Sequence, residues 1–132
     1  MNHSMLLGLL LFVLTPGVAQ NTIVDGNSFE SQCSQRRRMD AGVKLDDTEF
    51  MKATFCVGYI RGIVDVLVLN ELSQTKLVSK DGEWKTPCFP QNVTNEQSIK
   101  IVLKYLADNP AKLHYTAYEL IVFALRDAFP CH

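Results

Sequence analysis

Apolar residues recur at the helical spacing of three to four in several stretches of the chain. The longest of these follows Asp46, which forms the pattern of a capping box with Glu49 and predicts a helix from residue 47 to about residue 72. Residues 63–69 are apolar on nearly every side, which is typical of a helix buried in a core or in a subunit interface. A β-strand is the competing interpretation of this short β-branched run, and the unbroken period from Asp46 favours the helix. The stripe predicted to face the core is Phe50, Ala53, Val57, Ile60 and Val64.

Two more helices are predicted towards the C-terminus. Thr94 caps the first, Asn109 and Pro110 end it and begin the second, and Pro130 ends that one. A shorter helix is predicted to follow a turn at residues 26–29 and to end near Cys33 and Ser34, and a polar loop is predicted over residues 35–45. The predicted fold class is therefore all-α, a compact bundle of four to five helices. The predicted inner face of the last helix is Leu113, Ala117, Leu120, Ile121, Ala124 and Leu125.

The connection between residues 73 and 93 has no helical period. The turn signal Asp81–Gly82 predicts a small hairpin within it. Trp84, the only tryptophan, is a candidate anchor for a protein partner, because tryptophan is enriched at binding hot spots. The alternative is that this ring folds back onto the core. The predicted partner-binding residues are Asp81, Glu83, Trp84 and Lys85.

The N-terminus has the pattern of an export signal. A short apolar run over residues 5–14 is followed by Pro16 and by small residues at Gly17 and Ala19. This pattern predicts a signal peptide over residues 1–19 and a single mature domain over residues 20–132. The run is short for a bilayer span, so no stable membrane anchor is expected.

Four cysteines remain after the predicted cleavage, and an even number in an exported chain of this size predicts two disulfides. Spacing alone leaves three connectivities open. The predicted antiparallel pairing of the last two helices would bring Cys88 close to Cys131, and the remaining bond would then join Cys33 to Cys56. By loop entropy, each bond would contribute roughly 3–4 kcal/mol to stability.

Charge and motifs narrow the function classes. The formal net charge is −1, and the only basic run is Arg36–Arg38, so nucleic acid is not expected as a partner. His114 and Glu119 are a possible dyad, although a lone histidine near the start of a helix is usually a surface residue. We find no recognisable catalytic, metal-binding or phosphate-binding motif. The sequence therefore predicts no enzymatic activity, no catalytic or metal site and no cofactor.

Three residues of the long helix need a specific explanation. Gly58 and Gly62 each cost the helix about 1 kcal/mol relative to alanine, so they predict a close approach by another helix or ring. Packing within the core is favoured over a subunit seam. Asp65 lies in the most apolar run, and a buried carboxylate needs a partner, for example Arg61 one turn earlier.

The chain resembles the Rap/Tai family of immunity proteins. The specific pieces are the run from Phe55 to Ile63, Cys88–Phe89–Pro90, Asn109–Pro110 and the terminal Phe129–Pro130–Cys131. The resemblance covers about residues 29–131. The motif residues Gly58, Tyr59, Gly62 and Asp65 are interpreted as scaffold.

The resemblance implies a periplasmic helical protein that binds and inhibits a peptidoglycan amidase toxin delivered by type VI secretion. It also implies a homodimer. The main alternatives are a small-ligand carrier, which predicts an enclosed apolar cavity, and a periplasmic chaperone-like interaction module.

Overall fold

The structure is a computed structural model, which describes residues 23–73, 78–79, 82–83 and 86–131. Its described elements are four α-helices, a β-hairpin with two residues in each strand, and a 3₁₀ helix. The all-α prediction is confirmed. In chain order the elements are α1 (Gly26–Asp40), α2 (Asp47–Ser73), β1 (Val78–Ser79), β2 (Gly82–Glu83), α3 (Asn95–Asp108), the 3₁₀ helix (Pro110–Lys112) and α4 (Ala117–Ala128).

Helix α2 begins where the capping signal predicts. The Asp46 carboxylate accepts the Glu49 backbone N–H at 2.8 Å, and the Glu49 carboxylate accepts the Asp46 N–H at 3.0 Å. These two bonds satisfy donors that the first turn of a helix leaves unpaired. Residues 63–69 are helical, so the strand alternative is wrong.

Helix α1 is longer than predicted, because residues 35–40 continue the helix instead of forming a loop. The three arginines lie in its last turns, and each pairs with a carboxylate. Arg36 binds Glu96 of α3 at 3.0 Å, Arg37 binds Glu30, and Arg38 binds Glu49 of α2. These pairs, two of them with other helices, give this polar segment helix-stabilising contacts that its local pattern does not reveal.

A left-handed glycine ends α1. Gly42 has φ of +81°, and the Val43 N–H donates to the Arg38 carbonyl at 3.0 Å. This arrangement is a Schellman motif, in which glycine avoids the strain that a Cβ would cause at positive φ.

The start of α1 lies against the start of α4. The Asp25 carboxylate caps α1 by accepting the Ser28 N–H at 2.9 Å. Hydrogen bonding from the Ser28 side chain, and after it from the Ser28 backbone N–H, lowers the pKa of Asp25. The Gly26 N–H donates to the Tyr115 carbonyl at 2.8 Å. A Cβ at Gly26 would lie 2.5 Å from the Leu113 carbonyl oxygen, so only glycine fits here without a shift of the backbone.

Helices α3 and α4 form the predicted hairpin, but α4 begins later than predicted. Pro110 opens a single 3₁₀ turn, and α4 starts only after Thr116. A second capping box sets this start, because Thr116 and Glu119 exchange bonds between side chain and backbone. The later start is decided by this local pair, which competes with the proline signal.

Both predicted disulfides are confirmed. Cys33–Cys56 joins α1 to α2 inside the core, and Cys88–Cys131 closes the open end of the α3–α4 hairpin. Beside the second bond, the Cys88 N–H donates to the Phe129 carbonyl at 3.0 Å.

One core connects all four helices. Its fully buried members come from α1, α2, α3 and α4, so each helix presents one face to a shared centre. The largest of these side chains are Phe29, Ile60, Leu67, Leu106, Leu120, Ile121 and Leu125.

Candidate protein-binding surface

The predicted partner-binding residues are only partly within the described chain. Asp81, Trp84 and Lys85 lie outside the described residues. Glu83 is placed by its backbone, which pairs with Val78 across the hairpin. A hairpin is therefore present where it was predicted, and the role of these four residues stays a prediction.

Helix α2 has two apolar faces. The inner face packs into the core through Ala53, Cys56, Ile60, Val64 and Leu67. The opposite side of the helix is also largely apolar between Met51 and Leu69. Since residues on a helix advance by about 100°, the positions that share this side recur at intervals of three and four. We call them the outer stripe: Met51, Phe55, Gly58, Gly62, Val66 and Leu69.

The outer stripe is exposed to solvent. Met51 is 71% exposed, Val66 50% and Leu69 64%. Contiguous apolar surface of this kind marks interaction sites in exported and soluble proteins. Phe50, predicted to face the core, is 55% exposed and lies to one side of the stripe, so that prediction is wrong.

Gly58 and Gly62 form the middle of the outer stripe. A Cβ built on either residue meets no described atom within 4 Å. The expected close packing against the core is therefore wrong within the described chain. These glycines leave a shallow depression in the exposed side of the helix.

Asp65 and Arg61 flank the outer stripe on one side. Both are exposed, and among the described residues they form no salt bridge with each other. The expectation of a buried, paired Asp65 is wrong because the apolar run around it belongs partly to the exposed face. Both charges are available to a partner.

Tyr59 joins the core to the outer stripe. Its ring lies 5.2 Å from Phe29 and 5.8 Å from Phe55, measured between centroids. Burial raises the pKa of the Tyr59 hydroxyl. Phe55 is thus held from behind by a ring that is itself anchored on a core phenylalanine.

A groove of about 820 Å³ opens beside the C-terminal half of α2. One wall is α2, and the other is the segment that leads into α3. Several lining residues are exposed, so the groove is open to solvent and is not the enclosed cavity expected of a carrier. The lining residues are Val64, Asp65, Val68, Leu69, Glu71, Phe89, Pro90, Gln91, Val93, Asn95 and Ser98.

The charged residues described in the groove lining are all acidic. Among the described residues that line it, Asp65 and Glu71 are charged, and none is a lysine, arginine or histidine. Ser98 is fully buried at the groove, and its hydroxyl has no hydrogen-bond partner among the described residues. Buried hydroxyls are normally satisfied, so this one needs an explanation.

Aromatic residues gather between the 3₁₀ helix and α4. Tyr115 is 38% exposed and meets Phe123 edge-on at 5.4 Å, and the Arg126 guanidinium lies 5.3 Å from the Phe123 ring. The possible dyad does not form. His114 lies within hydrogen-bond distance of the Ala111 carbonyl, while Glu119 caps α4.

Two general properties of the described residues bear on function. No group of three or more histidine, cysteine or acidic residues there has the arrangement of a metal site. By length and composition alone, Asp47–Glu71 would be able to cross a membrane, and 28% of its most apolar stretch is buried. Core helices pass the same test, and α2 is tied to the core by its inner face and by Cys56.

The groove was missed at the level of sequence. Its walls come from residues 64–71 and 89–98, and no spacing rule relates the two segments. One available signal was Asp65 within an apolar run, which we interpreted as a buried pair.

The chain is similar to a known protein family. A family model described as Rap1a immunity proteins matches residues 25–131. The matched range contains the four described helices and all four cysteines. Among curated proteins and among solved structures, none matches the chain significantly.

Proposed function

This chain belongs to the Rap1a immunity protein family, and on that premise we propose that it binds and inhibits a peptidoglycan amidase toxin delivered by type VI secretion. The family match over nearly the whole described chain carries this proposal. The protein acts by occupying the toxin stoichiometrically, without turnover of its own.

Export is part of the proposal. Residues 1–19, which lie outside the described residues, would be the signal peptide, and residues 20–132 would fold in the periplasm. The two disulfides support a non-reducing compartment, because such bonds persist where thiols are not kept reduced.

The protein works as a homodimer through the outer stripe. The stripe is nearly symmetrical, with glycines in the middle and larger apolar residues at both ends. An antiparallel alignment that sets Gly58 beside the partner's Gly62 also sets Met51 beside the partner's Leu69. A self-complementary patch of this kind is what a two-fold interface requires.

Toxin contact would include the connection that carries the hairpin. Asp81, Glu83, Trp84 and Lys85 remain the proposed partner-binding residues. Trp84→Ala is expected to weaken inhibition at least tenfold, since truncating a hot-spot tryptophan costs about 2 kcal/mol or more. Unchanged inhibition by this variant would remove the hairpin connection from the proposed interface.

Inhibition is the direct test of function. The mature protein is mixed with peptidoglycan amidases delivered by type VI secretion, including any encoded beside its gene, and release of cleaved peptides from purified cell wall is measured. We expect one of them to be inhibited at a one-to-one ratio of chains. Failure against all, together with a tightly bound lipid-like molecule, would support the carrier alternative.

The chaperone-like alternative uses the same exposed stripe but differs in selectivity. A chaperone-like module would suppress aggregation of several unfolded proteins, whereas an immunity protein leaves them unaffected. Light scattering from heated, unrelated proteins distinguishes the two, and broad protection would contradict the immunity proposal.

The dimer is tested by sedimentation of matched variants. Phe55→Glu places a charge on the outer stripe, and Phe50→Glu places the same charge on an exposed phenylalanine beside it. We expect Phe55→Glu to be monomeric and Phe50→Glu to remain dimeric. Equal sedimentation of the two variants would contradict a dimer built on the outer stripe.

A further inference from the structure

We propose that the groove between α2 and the segment leading into α3 receives a basic side chain, with apolar neighbours, from the cognate toxin. This inference deepens the proposed function and rests on it. It assigns a second contact surface, which adjoins the outer stripe through which two copies would pair.

Charge selects the occupant. Asp65 and Glu71 both line the groove, and no cationic residue is among the described residues that line it. Neither carboxylate has a salt-bridge partner among the described residues. A cation that enters would therefore find two free carboxylates, and an anion would be repelled by both.

The apolar residues of the lining favour a ligand that also has apolar surface. Val64, Val68, Phe89 and Val93 contribute carbon surface to the walls. Arginine and lysine combine an aliphatic stem with a charged end, so the stem can pack against these walls while the charge meets the carboxylates. A simple metal ion or a small hydrophilic cation would leave this surface unused.

Ser98 supplies an independent observation. Its hydroxyl is fully buried at the groove and has no partner among the described residues. A buried polar group without a partner costs free energy, and a donor from a ligand would satisfy it once the groove lining shifts to admit that donor. An arginine has several N–H donors, so one can reach the serine hydroxyl while others donate to a carboxylate.

The position of the groove suits a role in a complex. Leu69 belongs both to the outer stripe and to the groove lining, so the two surfaces adjoin at one edge. A dimer formed on the stripe would leave the groove near the edge of the interface. Each dimer would then present two such grooves to its partners.

A short peptide serves as the probe, since the toxin itself is unidentified. Acetyl-Leu-Arg-Leu-amide is titrated at millimolar concentration into the isotope-labelled mature protein, and backbone amide shifts are followed by NMR. The matched peptide carries citrulline, which keeps the shape of arginine and removes its charge. We expect shifts over residues 64–71 and 89–98 and about fivefold weaker binding of the citrulline peptide.

Variants of the protein test the two carboxylates. Asp65→Asn combined with Glu71→Gln is expected to reduce arginine-peptide binding to the level of the citrulline peptide. The control combines Asp108→Asn with Asp127→Asn, which changes the net charge equally at exposed sites away from the groove. Equal effects of the two double variants would overturn the inference.

Other outcomes are equally decisive. Shifts at a different surface, or equal binding of both peptides, would overturn the groove assignment. If the groove is filled by a second copy, the Asp65→Asn, Glu71→Gln variant changes sedimentation and the peptide causes no shift there. This also overturns the inference.

Failure of the inference can be distinguished from failure of the proposed function. If an amidase is inhibited equally by wild type and by the groove variant, the function stands and the groove contact is wrong. If the arginine peptide binds as expected but no amidase is inhibited, the groove is a site for basic segments of another partner.

Discussion

The inner face and the outer stripe of α2 have similar apolar composition and opposite surroundings. Ile60 on the inner face is fully buried, while Leu69 on the outer stripe is 64% exposed. The inner face carries a disulfide to α1 and meets all three other helices of the described fold. The outer stripe has two glycines at its middle, and a Cβ built on either one meets no described atom within 4 Å.

This difference separates two uses of apolar surface. Burial of the inner face contributes to folding of the single chain, at roughly 25 cal/mol per Å² removed from water. The outer stripe contributes little to that folding, because its side chains remain in water. A second molecule has to cover the stripe before its apolar residues gain the same free energy.

Removing the buried disulfide is the largest expected perturbation of the inner face. Cys33→Ala with Cys56→Ala should lower the free energy of unfolding by about 4 kcal/mol, from lost loop constraint and from the void left in the core. Urea unfolding at several protein concentrations measures this, because association would add a concentration-dependent term. A loss below about 1 kcal/mol would contradict a core centred on this bond.

Truncating one side chain on each face compares how much the two faces contribute to the free energy of unfolding. Ile60→Ala should cost about 3 kcal/mol, because it opens a cavity among fully buried neighbours. Val66→Ala on the outer stripe should cost less than about 0.5 kcal/mol in the dissociated chain. Similar losses at both positions, measured by urea unfolding at low concentration, would remove the distinction between the faces.

Glycine replacement refines the comparison. Gly62→Ala should stabilise the dissociated chain by about 1 kcal/mol, because alanine is the better helix former and no described atom lies within 4 Å of the new Cβ. Gly42→Ala is the control, and it should destabilise by about 1 kcal/mol because its φ is +81°. Thermal unfolding measures both, and a destabilised Gly62→Ala would mean that α2 is already covered within one chain.

The smallest expected effect on the free energy of unfolding comes from an ion pair at the start of α2, outside both faces. The pKa of Glu49 lies below its ordinary value near 4.5, and the hydrogen bond from the Arg38 side chain is the largest cause of this lowering. Glu49 therefore contributes stability above that value, and this stability is lost as the pH falls through the lowered pKa.

Unfolding measured between pH 3 and pH 6 checks this contribution. Glu49→Gln should give a shallower loss of stability in acid than wild type, and Arg38→Gln should give a similar change. If both variants keep the slope of wild type, the ion pair does not couple α1 to α2 in solution.

Local signals predicted much of the fold. Asp46 and Glu49 marked the start of α2, because a capping box involves only four consecutive residues. The pairing of Cys88 with Cys131 followed from two helices joined by a short connection. The later start of α4 was misjudged, since Pro110 and Thr116 both carry start signals and the pattern alone does not rank them.

The candidate surfaces were less accessible to such reasoning. A helix that is apolar all round has no period that separates its inner face from its outer stripe, so Phe50 and Asp65 were placed on the wrong side. The partner-binding residues were chosen from the connection after α2. The groove needed the spatial approach of two segments that are distant in the chain.

The sequence by itself determined which residues begin most helices, which cysteines are available to pair, and that α2 has more apolar surface than one face needs. These properties depend on neighbours within about four positions or on composition. Only the tertiary structure decided which side of α2 faces the core, how far the arginine pairs extend α1, and where Asp65 and Glu71 meet the segment before α3. Those outcomes depend on contacts between distant parts of the chain, where packing and charge pairing outweigh local preference.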